Sequence, residues 1–265
     1  MTVRHRSIPV PWGIVHVREA GVGHVPIVCL HQTPRSGDEF REVIELLSPS
    51  HQVLAMDLPG MGRSTPHPDG GEITAYAEAM SAACTADGIE RCHLVGHHTG
   101  AAVAAQVAAT RPGFVASLVL SSPPWMDAAA RAERASQVGP GIDQVERTDD
   151  GSYAKGLSVG RAAFYPTDRS DLLQRFVADA LLVADPTTGH RAVGRWRMED
   201  VLPALGQLPV TLVDHQADPF AHPHIARWSA ALPDARIAVI ADGMVPLEYT
   251  AKAFASIVLA SGSPA

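Results

Sequence analysis

The chain is poor in the features that mark the simpler functional classes. Only three cysteines occur among 265 residues, Cys29, Cys84 and Cys92, odd in number, widely spaced and set in apolar segments. They fit reduced thiols packed as small hydrophobes and supply no disulfide framework. Nowhere do 18 apolar residues run together, and no apolar stretch of signal-peptide length follows the early charges of MTVRHRSIPVPWG. A membrane partner is therefore not expected, and the expected location is the cytoplasm. There is no Lys/Arg run, and the formal net charge of -7 offers no basic surface to neutralise phosphates, which argues against nucleic acid. Internal repeats and low-complexity tracts are also missing.

What is present is enough apolar material, 46% of residues, to bury a real core. The length suits one large α/β domain or two small ones. Two segments, Val3 to Pro9 and Gly13 to Glu19, flank Pro11 and read as an antiparallel pair, followed by a turn at Gly21 and Gly23. Short apolar runs then alternate with amphipathic stretches, the pattern of a mostly parallel sheet covered by helices on both faces. The strands are predicted at Val25 to Leu30, Gln52 to Met56, His93 to Val95, Ser117 to Leu120, Val210 to Val213 and Arg236 to Ile240. Helices are predicted near Gly37 to Leu47, Thr74 to Ala86, Ala101 to Thr110, Ile225 to Leu232 and Leu247 to Leu259.

From Pro124 to about Leu208 the alternation stops. That stretch carries helical patches such as Met126 to Gln137 and Ser170 to Val183, and a Gly/Asp-rich link around Gly139 to Gly151, but no convincing strand. It is too long for a plain loop. The expected organisation is a core of residues 1–123 and 209–265 with a helical cap, or lid, of residues 124–208.

One segment, Leu94-Val95-Gly96-His97-His98-Thr99-Gly100-Ala101-Ala102, reads as a strand, a turn flanked by glycines and an Ala-rich helix. It resembles the G-x-S-x-G nucleophile elbow of the α/β-hydrolase family, in which the central residue sits on a strained turn. Three further segments resemble that family's landmarks in the right order. They are His31-Gln32-Thr33-Pro34 for the oxyanion segment, Asp57 to Ser64 for the D-x-x-G-x-G-x-S loop, and Val210 to Pro219 for the strand and loop that present the acid. The resemblance implies an α/β-hydrolase fold with an eight-stranded sheet and His98 at the elbow.

Two departures accompany it. His98 stands where Ser, Asp or Cys would be expected. The last loop, Ile240-Ala241-Asp242-Gly243-Met244-Val245-Pro246-Leu247-Glu248, lacks the histidine that relatives place before the residue corresponding to Met244. Of the usual Ser, Asp and His, only Asp218 remains.

An imidazole titrating near neutrality suits proton transfer better than acyl transfer, so His98 is the candidate base with Asp218 behind it. By analogy the backbone amides of Thr33 and Thr99 form the oxyanion hole, where one donor typically contributes roughly 3 kcal/mol. His31, Arg35 and Trp125 are candidate substrate contacts. Arg35 would meet an anionic group, or else pair with Asp38 or Glu39. His97 corresponds to a structural position, and Asp242 and Glu248 flank the vacated site.

His215, His222 and His224 cluster after the acid strand but fit no metal-ligand spacing. Neither metal nor cofactor is expected, and the expected partner is a small-molecule substrate. Three functions remain open: an enzyme acting on a small, largely apolar carbonyl compound, an inactive relative that binds a small molecule or a protein, and a hydrolase with His98-centred chemistry. An enclosed apolar pocket faced by the Thr33 and Thr99 amides would favour an enzyme.

Overall fold

A computed structural model describes residues 2–136 and 141–262. Eight strands form one sheet: β1 (Arg4–Val10), β2 (Gly13–Ala20), β3 (Ile27–Leu30), β4 (Val53–Met56), β5 (Cys92–His97), β6 (Val115–Ser121), β7 (Val210–His215) and β8 (Arg236–Ile240). Their spatial order is β1-β2-β4-β3-β5-β6-β7-β8. β1 pairs antiparallel with β2, and β2 antiparallel with β4; every later pair is parallel.

The inner strands β3 and β4, IVCL and VLAM, are buried at every position. A strand covered on both faces must be apolar throughout, which is why these runs do not alternate. The covering helices are α1 (Arg41–Leu47), α2 (Ile73–Ala86), α3 (Thr99–Thr110), α9 (Ile225–Ala231) and α10 (Ala251–Gly262). Phe40, Val43, Ile44 and Leu47 on one side meet Phe254 and Val258 of α10. On the other, Tyr76, Met80 and Ala83 of α2 join Ala101, Ala104, Ala105 and Ala108 of α3. The alanines of α3 let it lie close to the sheet directly behind the elbow. Cys29, Cys84 and Cys92 are free and buried, and burial pushes the Cys84 thiol up to about 12.

Each expected element occurs, with shifted ends. β5 runs on through His97, and α3 begins two residues earlier than the apolar pattern suggests, at Thr99. The first turns of two expected helices, Gly37–Phe40 and Leu247–Thr250, are 3₁₀.

Between β6 and β7 the described residues form helices and no strand: α4 (Ala128–Ala135), α5 (Ser152–Ala162), α6 (Ser170–Leu182), α7 (Thr188–Arg195) and α8 (Leu202–Leu205), with short 3₁₀ turns. Asp127 caps α4 by accepting from Ala130 N at 2.8 Å, which explains why that helix starts after Met126. Gln137 and Gly139 of the expected helix and link lie outside the described residues. The insertion has its own small core, in which Tyr153 and Leu157 of α5 meet Leu172, Phe176 and Ala180 of α6.

Candidate active site

The elbow is strained for a packing reason. His98 has φ 47° and ψ −113°, in the positive-φ region that side chains other than glycine avoid. Such a residue typically costs about 1–3 kcal/mol. Strand β5 and helix α3 are pressed together here. A Cβ on Gly96 would overlap the Gly100 carbonyl, and one on Gly100 would overlap the Leu30 carbonyl. His98 N donates to Ser121 O at 3.0 Å and its carbonyl accepts from Ala101 N at 2.9 Å, so the turn is bolted at both ends. The imidazole is thereby presented to a cavity of about 310 Å³ between the sheet and the helical insertion.

Asp218 approaches it from the loop after β7. Its carboxylate is fully buried; Oδ2 accepts from Ser122 Oγ at 2.7 Å and Oδ1 from Phe220 N at 3.0 Å. His98 Nε2 lies 2.8 Å from Asp218 Oδ2, a short contact that is off the axis of a straight N–H···O bond. Burial opposes ionisation of Asp218, but the nearby His98 charge and the Ser122 hydrogen bond prevail and hold it well below the usual carboxylate range. Nε2 is sealed from solvent against Asp218, and the His98 side chain forms part of the cavity wall.

Behind His98 runs a chain of neutral groups. His97 Nε2 donates to Val245 O at 3.1 Å, so its Nδ1 accepts from Ser121 Oγ at 2.9 Å, and Ser121 in turn accepts from His215 Nε2 at 3.0 Å. Burial, then the neighbouring His98, pushes His97 well below the ordinary imidazole value; burial takes His215 down to about 4. Both are uncharged at neutral pH.

Thr33 and Thr99 line the cavity, and their backbone amides find no acceptor among the described residues. For Thr99 this follows from its place in the first turn of α3, where no intrahelical acceptor exists. Trp125, Met126, Val193, Phe220 and Val245 supply apolar wall, and Glu133, Arg134, Arg161, His190 and His224 polar wall.

The structure thus gathers His98, Asp218, Thr33, Thr99 and Trp125 around one space. It does not bring His31 or Arg35 there. The His31 ring is fully buried, donating from Nδ1 to Gln32 O at 2.7 Å and accepting at Nε2 from Leu58 N at 2.8 Å, so it braces two loops. Arg35, expected to meet a substrate anion or a surface acid, is wholly buried. It pairs with Asp179 at 2.8 Å and Glu248 at 2.7 Å, and its Nη1 lies 4.0 Å from Glu39, one of the two acids expected for it, in a buried rather than a surface pair. Its charge is consumed inside the protein. Glu248 is therefore committed, and Asp242 is exposed and off the cavity wall.

His215, His222 and His224 turn to separate partners, Ser121, Asp214 and the Trp125 amide. Arg161, His190 and Phe220 are not singled out by sequence, and His224 is considered there only as part of a histidine cluster. Arg161 carried a usable signal: with Tyr153 and Leu157 it repeats every four residues, which puts a cation on the apolar stripe of α5.

A family model described as alpha/beta hydrolase fold matches residues 25–240. A dihydrolipoyllysine-residue acetyltransferase component of the acetoin cleaving system of Cupriavidus necator is 34% identical over 111 residues, 41% of this chain and 30% of that protein. A 2-hydroxy-6-oxononadienedioate/2-hydroxy-6-oxononatrienedioate hydrolase of a Pseudomonas species is 30% identical over 112 residues, 41% of this chain and 40% of that protein. The chain thus matches well under half the length of these relatives. Among solved structures, a hydrolase from Pseudomonas aeruginosa superposes with a TM-score of 0.77 at 19% identity, covering 98% of this chain and 99% of the other.

Proposed function

The chain belongs to the alpha/beta hydrolase fold family, and from that premise we propose an enzyme that moves a proton on a small, largely apolar carbonyl compound. The observation that carries this reading is the strained elbow that holds His98 on the cavity wall with Nε2 against Asp218 at 2.8 Å. In the proposed step Nδ1 removes a proton from carbon next to the substrate carbonyl. The C–H electrons pass to the carbonyl oxygen, and the resulting enolate oxygen is held by the Thr33 and Thr99 amides as an oxyanion hole. Asp218 stabilises the imidazolium. The helical insertion serves as the lid that keeps the site dry.

Serine-type acyl transfer is the less suitable chemistry. No hydroxyl stands at position 98, and Val245 rather than a histidine faces the cavity from the last loop. Proton abstraction needs only the base, its carboxylate and the two donors.

The test is proton–deuterium exchange of enolisable aryl ketones in D₂O, followed by NMR. Exchange catalysed by the wild-type protein should fall by roughly 10² to 10⁴ in His98→Ala, the usual share of general acid–base catalysis. Exchange unaltered in that variant would move the base elsewhere. No exchange with any ketone would favour a binding protein on the same scaffold. Fluorophosphonate probes should leave the elbow unlabelled.

A further inference from the structure

The cavity wall carries a charge that the proton-transfer reading does not use. Arg161 on α5 lines the same space as His98, yet it is only 5% exposed. Among the described residues no carboxylate lies within ion-pair distance of its guanidinium, and its sealed Nε has no acceptor. Its flanks are aromatic, with the guanidinium carbon 5.2 Å from the Phe176 ring centre and 5.5 Å from that of Phe220. The nearby acids are already engaged: Asp218 with His98 and Ser122, and Asp143 with His190 at 2.7 Å, while Glu133 on the same cavity wall also has a partner and makes no ion pair with Arg161.

A cation removed from water without a counter-ion is strongly penalised, and proteins meet that cost with a paired acid. This chain does so at Arg35, which is equally buried and held by Asp179 and Glu248. Arg161 has the burial without the acid. Desolvation accordingly pulls its guanidinium below the ordinary arginine value, against the long-range pull of Tyr165, Asp143 and Asp218.

We propose that Arg161 is a specificity residue whose missing partner is a carboxylate on the substrate of the His98 site. This rests on that site being the reacting one. The planar guanidinium fork matches a carboxylate with two parallel N–H···O bonds, and Phe220 beside it suits an apolar body between the acid and the reacting carbonyl. The substrate class is then a small oxo acid with an aromatic or aliphatic spacer, anchored at one end by Arg161 and turned at the other toward His98 Nδ1.

Calorimetric titration of the full chain with 4-acetylbenzoate, 4-acetylphenylacetate and 5-oxohexanoate, each beside its primary amide, tests this without needing turnover. At least one acid should bind about 10- to 100-fold more tightly than its amide, as a charge-assisted hydrogen bond is usually worth. Arg161→Met should erase that preference and Arg161→Lys should keep part of it. His98→Ala should keep it fully, which separates failure of the anchor from failure of the base. Arg161→Met should also melt no lower than the wild-type chain, because it relieves an uncompensated buried charge. The proposal is overturned if no acid out-binds its amide, if Arg161→Met retains the preference, or if that variant melts well below wild type, which would make Arg161 a structural residue.

Discussion

His98 is confined by two glycines, and the most local expectations concern them. Gly96→Ala and Gly100→Ala each drive a methyl into a backbone carbonyl, so each should destabilise the chain beyond the ordinary 0.5–3 kcal/mol of a point substitution, roughly 4 kcal/mol or more. Denaturant titration measures this; a loss under 1 kcal/mol would mean that strand and helix can part at no cost. His98→Ser should fold, since serine is smaller, but should not hydrolyse p-nitrophenyl esters above background. Its hydroxyl would find no imidazole in the last loop, where Val245 faces it. Measurable burst kinetics in that variant would reveal a base the present site does not predict.

Between elements, the helical insertion is tied to the core by charges that cross the boundary. Asp179 of α6 accepts from Arg35 Nε at 2.8 Å and from Ser36 Oγ at 2.8 Å, and Arg175 of the same helix reaches Asp38 at 2.9 Å and Glu42 at 2.6 Å. Removing Asp179 takes the acceptor from Arg35 Nε and Ser36 Oγ but leaves Arg35 its Glu248 partner, so Asp179→Ala should cost about 1–3 kcal/mol by thermal or chemical denaturation, while Asp171→Ala on the exposed start of α6 should cost under 1 kcal/mol. Equal effects would show that the buried pair does not fasten the helix. These ties also mark the limit of reading the sequence. The elbow was legible because Gly96, His98 and Gly100 carry their meaning within five residues. Asp218 was legible from its strand and loop. For Arg35 only the Glu39 pair was legible from local spacing; its shorter contacts, with Asp179 and Glu248, lie 144 and 213 residues away, and local spacing says nothing of them or of the burial they bring. The extent of the helical insertion could be read from the absence of strand patterns, but which of its side chains reach the cavity depends on how α5 and α7 dock. Gly189 of α7 illustrates this: a Cβ there would strike Thr33 Oγ1, a contact visible only in three dimensions.

For the molecule as a whole, burial of histidines sets the response to pH. His31, His97, His190 and His215 are all pushed below the ordinary imidazole value chiefly by burial. As pH falls through about 6.5 the unfolded chain takes up protons that the folded chain refuses, so stability falls; for His215 alone, a drop from 6.5 to about 4 corresponds to about 3 kcal/mol, lost across that window. Glu39 works the other way. Burial pushes it up to about 8, so the folded chain gains relative stability as pH falls from 8 toward 4.5. One raised acid stands against these four histidines and against His5, His93 and His224, which burial also pushes down, and this leaves a stability maximum near pH 6.5–7 and a steep acid limb. Melting temperatures between pH 4 and 9 measure this, and a flat profile from pH 7 to 4.5 would refute it. The route of the chain through the two layers has a different kind of consequence. The segment that supplies Arg161, His190 and Val193 leaves the sheet after β6 and returns at β7, and these strands are direct neighbours, with Leu118 opposite Val210. His98, Thr33 and Asp218 lie outside that segment. Under the proposed assignment the base and the anchor therefore come from separable stretches of the gene, and an exchange of the single stretch for residues 122–209 between relatives would replace most of the recognition wall while leaving His98, Thr33 and Asp218 in place.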